Sequence, residues 1–141
     1  MVLKKLIEGS RFRVMLTPRA YDDLCGSNLR QSQDGCTKDG VIGETAKGNK
    51  QSLQKVIKLL TVAKKYADAT RLKVPEHMND EGDDFYAFKS GSIRAYWWQD
   101  RKTVIISHFV IKKSKGLAKR DKELMEKYRR QYYEDIRRLN G

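Results

Sequence analysis

In 141 residues the chain has two cysteines, two histidines and two prolines. Cys25 and Cys36 lack a second cysteine or histidine pair at zinc spacing, so both are read as reduced thiols without a catalytic role. His77 and His108 are isolated from each other and from paired carboxylates, so no metal and no other cofactor is expected. No apolar run approaches the roughly 20 residues that span a bilayer, and Leu6-Ile7 is cut by Glu8 and Gly9, too soon for a secretory apolar core. A cytoplasmic protein without membrane contact follows as the expectation, with Met1 to Glu8 as a local structural segment.

Acidic residues are also scarce relative to basic ones: 30 Lys and Arg against 18 Asp and Glu give a net charge of +12. Net charge speaks to partners rather than to fold, and a polyanion fits best. Residues 112 to 138 hold eleven Lys or Arg against five Asp or Glu, half of the excess. A solvated basic face would also account for scattered lysines, but here they cluster. The length suits a single domain over residues 1–141, with a core large enough to need no disulfide.

Phe12, Val14 and Leu16 alternate with Arg13 and Met15, which predicts a strand with one buried face. Thr17-Pro18 is a helix start, threonine as cap and proline at the first helical position. The helix should run to Cys25 and stop at Gly26. Residues 27–50 are polar and glycine-bearing and are expected to form a flexible loop. Leu53, Val56, Ile57, Leu60, Ala63 and Ala67 recur at helical steps, predicting a core-facing helix over 49–69. Asn79 to Asp84 reads as an acidic turn before the sheet.

Phe85–Lys89, Ile93–Gln99 and Thr103–Ile111 are β-branched and aromatic runs separated by short turn segments, the pattern of an antiparallel meander. Strict alternation puts Arg94, Tyr96 and Trp98 on one face of the middle strand. In the last strand it groups Val104, Ile106, His108 and Val110. A final helix over 117–139 carries Leu117, Leu124, Met125, Tyr128, Tyr132 and Ile136 as its apolar stripe. The predicted class is α+β: a small antiparallel sheet, made of an N-terminal strand and the meander, packed by a helical hairpin and a C-terminal helix.

The last strand ends in Lys112, Lys113, Ser114 and Lys115, and Arg94 and Lys89 are expected at the same end of the sheet. RNA carries its own nucleophile, the 2′-hydroxyl, so a protein that cleaves it without a metal must align it, move protons and neutralise the phosphorane. Arg94, Lys112 and Lys89 are candidates for the charge, and His108 and Tyr96 for the protons. Lys113, Lys115, Lys119 and Arg120 are candidate backbone contacts, and Trp98 a stacking surface for unpaired bases. Each has a plainer reading: Arg94 paired with Asp83 or Asp84, His108 a satisfied sheet histidine, the tryptophans core. Phosphate contacts position RNA without proving cleavage.

The stretch from Phe85 to Tyr133 resembles the RelE/HigB superfamily of toxins from bacterial toxin–antitoxin pairs, in particular its HigB-like branch. Phe85-Tyr86-Ala87-Phe88-Lys89 is similar to that branch's L-x-E-L-R strand, and Gly91-Ser92-Ile93-Arg94-Ala95-Tyr96 to its G-x-x-R-x-x-Y hairpin. His108 to Lys115 resembles its H-x-F-x-K-K-T-x-K segment. The resemblance implies a RelE-like fold and a metal-independent endoribonuclease acting on mRNA, usually at the ribosome, and silenced by a cognate antitoxin protein. It also implies roles: Arg94 at the phosphorane, Lys112 and Lys113 on the backbone, and Lys89 in place of an arginine, without the bidentate fork. A non-catalytic nucleic-acid-binding module and a ParE-like toxin that poisons gyrase are the alternatives.

Overall fold

The computed structural model describes residues 1–25, 50–70, 76–111 and 117–140. Six strands form one mixed sheet: β1 (Lys4–Glu8), β2 (Arg13–Leu16), β3 (Met78–Gly82), β4 (Phe85–Ser90), β5 (Ile93–Asp100) and β6 (Thr103–Ile111), in the order β1-β2-β6-β5-β4-β3. Among the described residues three helices accompany it: α1 (Pro18–Cys25), α2 (Lys50–Ala67) and α3 (Lys119–Asn140). The α+β class and the β4-β5-β6 meander follow the sequence reading.

The sheet is larger than expected and is not purely antiparallel. β2 pairs parallel with β6, because the chain leaves β2 through α1 and returns to the sheet by way of β3. Residues 4–8 form an edge strand against β2, and most of the acidic run forms the opposite edge, β3, against β4. Only the end of that run is a turn: Asp83 and Asp84 take φ of 55° and 63° between paired Gly82 and Phe85. Two successive positive φ values are what a two-residue hairpin needs to match strand twist, and aspartate tolerates them better than most residues. The loop expected at 27–50 lies outside the described residues except for Lys50, which opens α2.

One face of the sheet is covered by α1, which rests mainly on β6, and α2, which rests on β4 and β5. Both helices pack on this one face, and residues 26–49, which join them, lie outside the described residues. Thr17 caps α1: its Oγ1 accepts from the Ala20 amide at 3.0 Å and donates to the Ser107 carbonyl at 2.7 Å. The core on this side holds Val14, Leu16, Leu59, Val62, Phe88, Trp97, Ile106 and Phe109. Ile57, expected in the stripe, is 56 % exposed, because the buried stripe of α2 runs through Leu59, Val62 and Ala63 instead. α3 crosses the other face over a smaller core of Phe85, Ala87, Tyr96, Trp98, Ile105 and Met125.

The decisive local feature is a β-bulge in β6. Trp97 pairs with Ile106 and Tyr96 with His108, so Ser107 is an extra residue. An extra residue resets alternation beyond it. Val104 and Ile106 therefore share a face with Phe109, whereas His108 and Val110 pass to the α3 side with Ile105. The face predicted for His108 is corrected accordingly.

Candidate functional site

On the α3 side the registers of β4, β5 and β6 set residues in rows across three strands. Lys89 lies opposite Arg94 and Arg94 opposite Val110; in the next row Ala87 lies opposite Tyr96 and Tyr96 opposite His108. Four of the five residues named for catalysis thus share one sheet face in two adjacent rows. Lys112, the fifth, lies outside the described residues, as do Lys113 and Lys115.

Proximity of the Cα atoms does not bring all the charged heads together. Arg94 folds back on its own turn, its Nη1 donating to the Gly91 carbonyl at 2.5 Å and the Ile93 carbonyl at 3.0 Å. It pairs with neither Asp83 nor Asp84; Asp83 is held by Lys122 at 2.7 Å. Lys89 donates towards Asn79 of β3 at 3.4 Å. Lys55 of α2 runs beside Gly91 and adds a cation near this turn.

His108 sits in a closed polar chain. Its Nδ1 is 2.9 Å from Ser107 Oγ and its Nε2 is 3.0 Å from Asp121 Oδ1 in the first turn of α3. A carboxylate only accepts, so with an ionised Asp121 the ring proton is on Nε2, and Nδ1 accepts from the serine hydroxyl. Burial holds the histidine below its usual pKa, against the opposing effect of Asp121. The ring is therefore neutral near pH 7, 1 % exposed, with both nitrogens engaged. Ser107 is fully buried, which excludes it as a nucleophile for a ligand arriving from solvent. Tyr96 stacks obliquely on the imidazole at 5.4 Å between ring centres. Its hydroxyl has no hydrogen-bond partner, and burial raises its pKa far above the usual phenol value, so the group stays protonated.

A hollow of about 490 Å³ opens above this chain, with His108, Asp121 and Val110 in its wall and Arg19, Arg120 and Lys127 around it. Arg19 is fixed there by Asp23, Nε to Oδ1 at 2.9 Å. Asp23 in turn takes the Phe109 amide at 3.1 Å on its other oxygen, just beyond the bulge. Burial raises the pKa of Asp23, outweighing the opposite pull of that amide and of Arg19. Arg120 was anticipated as a backbone contact. Arg19 and Lys127 were not, since nothing in their local sequence sets them apart from other surface cations. Lys119 is exposed and reaches only Glu123, at 4.0 Å. Trp98 is buried, edge-on to Tyr132 at 5.9 Å, so its ring is not presented to an incoming base.

Among the described residues no group of three or more His, Cys, Asp or Glu is arranged to hold a metal, and no helix is long and apolar enough to cross a membrane. No family model matches the chain, nor does any curated protein or solved structure.

Proposed function

We propose that the protein is an endoribonuclease toxin of the RelE/HigB kind, with a RelE-like domain that cleaves mRNA at the ribosome in the cytoplasm and is silenced by a cognate antitoxin. The observation that supports this reading most is the pair of rows on one sheet face, Lys89-Arg94 beside Tyr96-His108. They stand next to a hollow ringed by three cations, and β6 leads directly into Lys112, Lys113 and Lys115.

In the proposed reaction the 2′-hydroxyl attacks the adjacent phosphorus while the bond to O5′ breaks. The products are a 2′,3′-cyclic phosphate and a free 5′-hydroxyl, the proton lost from O2′ being balanced by one gained at O5′. Arg19, Arg120 and Lys127 hold the backbone, and Arg94 with Lys112 meets the charge that grows on the phosphorane. Tyr96, as fully buried as Ser107, packs against the imidazole, and the proton gained at O5′ comes from solvent water. His108, bound on both nitrogens, orients the first turn of α3 and with it the hollow.

The test is expression of the Arg94→Ala, Lys112→Ala double variant. Growth arrest and the primer-extension stops on mRNA should both vanish while the thermal melt stays unchanged; full toxicity in a folded double variant would overturn the assignment. The closed chain around His108 favours a second reading, an RNA-binding module without catalysis. That reading predicts salt-sensitive RNA binding and no cleaved product at any protein concentration.

A further inference from the structure

α2 carries five lysines and no aspartate or glutamate in its 18 residues, whereas α3 mixes eight Lys or Arg with five Asp or Glu in 22. Of the α2 lysines whose side chains are described, Lys55, Lys58, Lys64 and Lys65, all are exposed. Lys64 is held by Asp68 at 3.2 Å, while Lys55, Lys58 and Lys65 make no ion pair or side-chain hydrogen bond with any described residue. Cations in a last helical turn are favoured by the carbonyl end of the helix, which accounts for Lys64 and Lys65. Lys55 and Lys58 stand too far from that end to gain from it, and being three residues apart they repel each other. Helix stability therefore does not explain a row of one charge sign.

The turn between β4 and β5 joins this row to the candidate site. Gly91 has a φ of 58° there, and a Cβ on it would lie 2.9 Å from Lys55 Cδ and 3.4 Å from its Nζ, so the lysine stem crosses directly over the glycine. The Gly91 carbonyl is also the one to which Arg94 Nη1 donates at 2.5 Å. Lys55 from the α2 side and Arg94 from the α3 side thus meet at one residue. From Lys55 the row continues by way of Lys58 to Lys65, about 15 Å further on at the rise of an α-helix. Lys58 and Lys65 are two turns apart and leave the helix in nearly the same direction.

We propose that this row is a docking track for the phosphate backbone of an RNA strand that leaves the candidate site at Arg94, passes over Gly91 and runs along α2. The choice of RNA rests on the proposed function; the track itself needs no cleavage. Unpaired cations in a row match a polyanion. A membrane surface does not fit, because the apolar side of α2 is spent on the core through Leu59, Val62, Ala63 and Ala67, and Ile57 is left as an isolated exposed side chain. The one aromatic of α2, Tyr66, is packed against Phe12, Phe88 and Trp97, so the track offers no ring on which a base could stack. It holds phosphates and is indifferent to sequence.

The test is the fluorescence anisotropy of labelled, unstructured RNA of about five and about fifteen nucleotides, near the two ends of common single-strand site sizes. Wild-type protein should bind the longer strand more tightly. Lys55→Gln with Lys58→Gln and Lys65→Gln should cut the ratio of the two affinities about ten-fold or more, leave the short strand unchanged, and lower the salt slope of the long strand by about 2, at about 0.7 for each phosphate contact. Lys102→Gln with Arg137→Gln and Arg138→Gln removes the same charge from other exposed positions and should leave that ratio intact. An equal loss in this control, in protein with an unaltered melt, would overturn the track. So would polyglutamate that competes with the long strand as well as unlabelled RNA of equal charge, a result that would assign the row to an acidic protein. A short strand that binds, with the same ratio in wild-type protein and the lysine variant, removes the track and keeps the proposed site. A long strand held through these lysines when the short one does not bind removes the site and keeps the track.

Discussion

The two faces of the sheet are built to different standards. Under α1 and α2 the packing is aromatic and continuous: Tyr66, Trp97, Phe88 and Tyr86 touch ring to ring, with centroid separations between 4.7 and 5.7 Å, and Phe12 stacks on Tyr66. Under α3 the buried set is smaller, and it shares the face with a histidine–aspartate pair, an unpaired tyrosine hydroxyl and the Lys89-Arg94 row. Of the 22 residues of α3, Asp121 and Met125 are the buried ones. A side chain can present charge to solvent only where the cover is thin, so the apolar face supplies the stability and the α3 face is left to carry chemistry.

The sharpest way to break this comparison is to remove the centre of the apolar face. Trp97 contacts Tyr66, Tyr86 and Phe88, and truncation leaves a cavity that none of these rings can fill without losing another contact. Trp97→Ala should cost about 3–5 kcal/mol, read as a drop in the urea midpoint at unchanged slope. On the α3 face Met125→Ala, which removes a flexible side chain from a smaller cluster, should cost about 2–3 kcal/mol. If the Met125 variant proves the less stable of the two, the assignment of stability to the apolar face is wrong.

A smaller effect should come from the polar chain on the α3 face. Asp121→Ala leaves the buried His108 Nε2–H without its acceptor, a loss of about 1–3 kcal/mol. The pH dependence has a definite sign. Burial lowers the folded pKa of His108 from its reference value of 6.5, so the folded state binds this proton less readily than the unfolded chain. The associated stability is complete above about pH 6.5 and is lost as pH falls through the lowered folded value, at up to about 1.4 kcal/mol per pH unit. Asp23 opposes it: its raised pKa gives a contribution that is present at acid pH, below its unfolded value, and is lost as pH rises through the folded one. The groups facing the imidazole are Ser107, Tyr96, Asp121, Asp23 and Arg19. Urea melts from pH 8 to pH 5 should therefore show a decline that His108→Asn reduces; a decline unaffected by that change would move the titration elsewhere.

The elements that sequence periodicity located well are those whose apolar pattern is set by a single neighbour. α1 begins at Pro18 because Thr17 can cap it, and the meander strands start and stop at their turn residues. Among the readings that failed, two have a direct physical reason in the strands. The acidic run of β3 has no apolar alternation, because an edge strand needs backbone pairing on one side only and gains little from side-chain burial. The face of His108 was misassigned because one inserted residue, Ser107, reverses every later position, and a serine between isoleucine and histidine carries no mark of a bulge. The candidate site was legible as a set of residue types, since Lys89, Arg94, Tyr96 and His108 do share a face. The partners that define the site, Arg19, Asp23, Asp121 and Lys127, come from α1 and α3, and only the tertiary fold brings them to β6.

The finest comparison sets charge against stability at the hollow itself. Arg120 and Lys127 are surface residues with no described hydrogen bond, and Arg19 is half exposed beside Asp23. Replacing all three with glutamine removes three positive charges while keeping much of each aliphatic stem. Stability should change by no more than about 0.5 kcal/mol for each of Arg120 and Lys127, and by about 1–3 kcal/mol for Arg19, whose loss takes the ion-pair partner from the buried Asp23. RNA affinity should fall, and its dependence on salt should flatten: each phosphate contact to a single strand contributes about 0.7 to the log–log slope, so three contacts account for about 2. Filter binding of a short unstructured RNA between 50 and 200 mM salt, on the order of the range over which such slopes are measured, decides it. An unchanged slope would mean that the cations around the hollow never meet the backbone. Polyanion binding would then have to rest on the basic residues elsewhere in the chain, and the thinly covered face would lose its claim to be the working one.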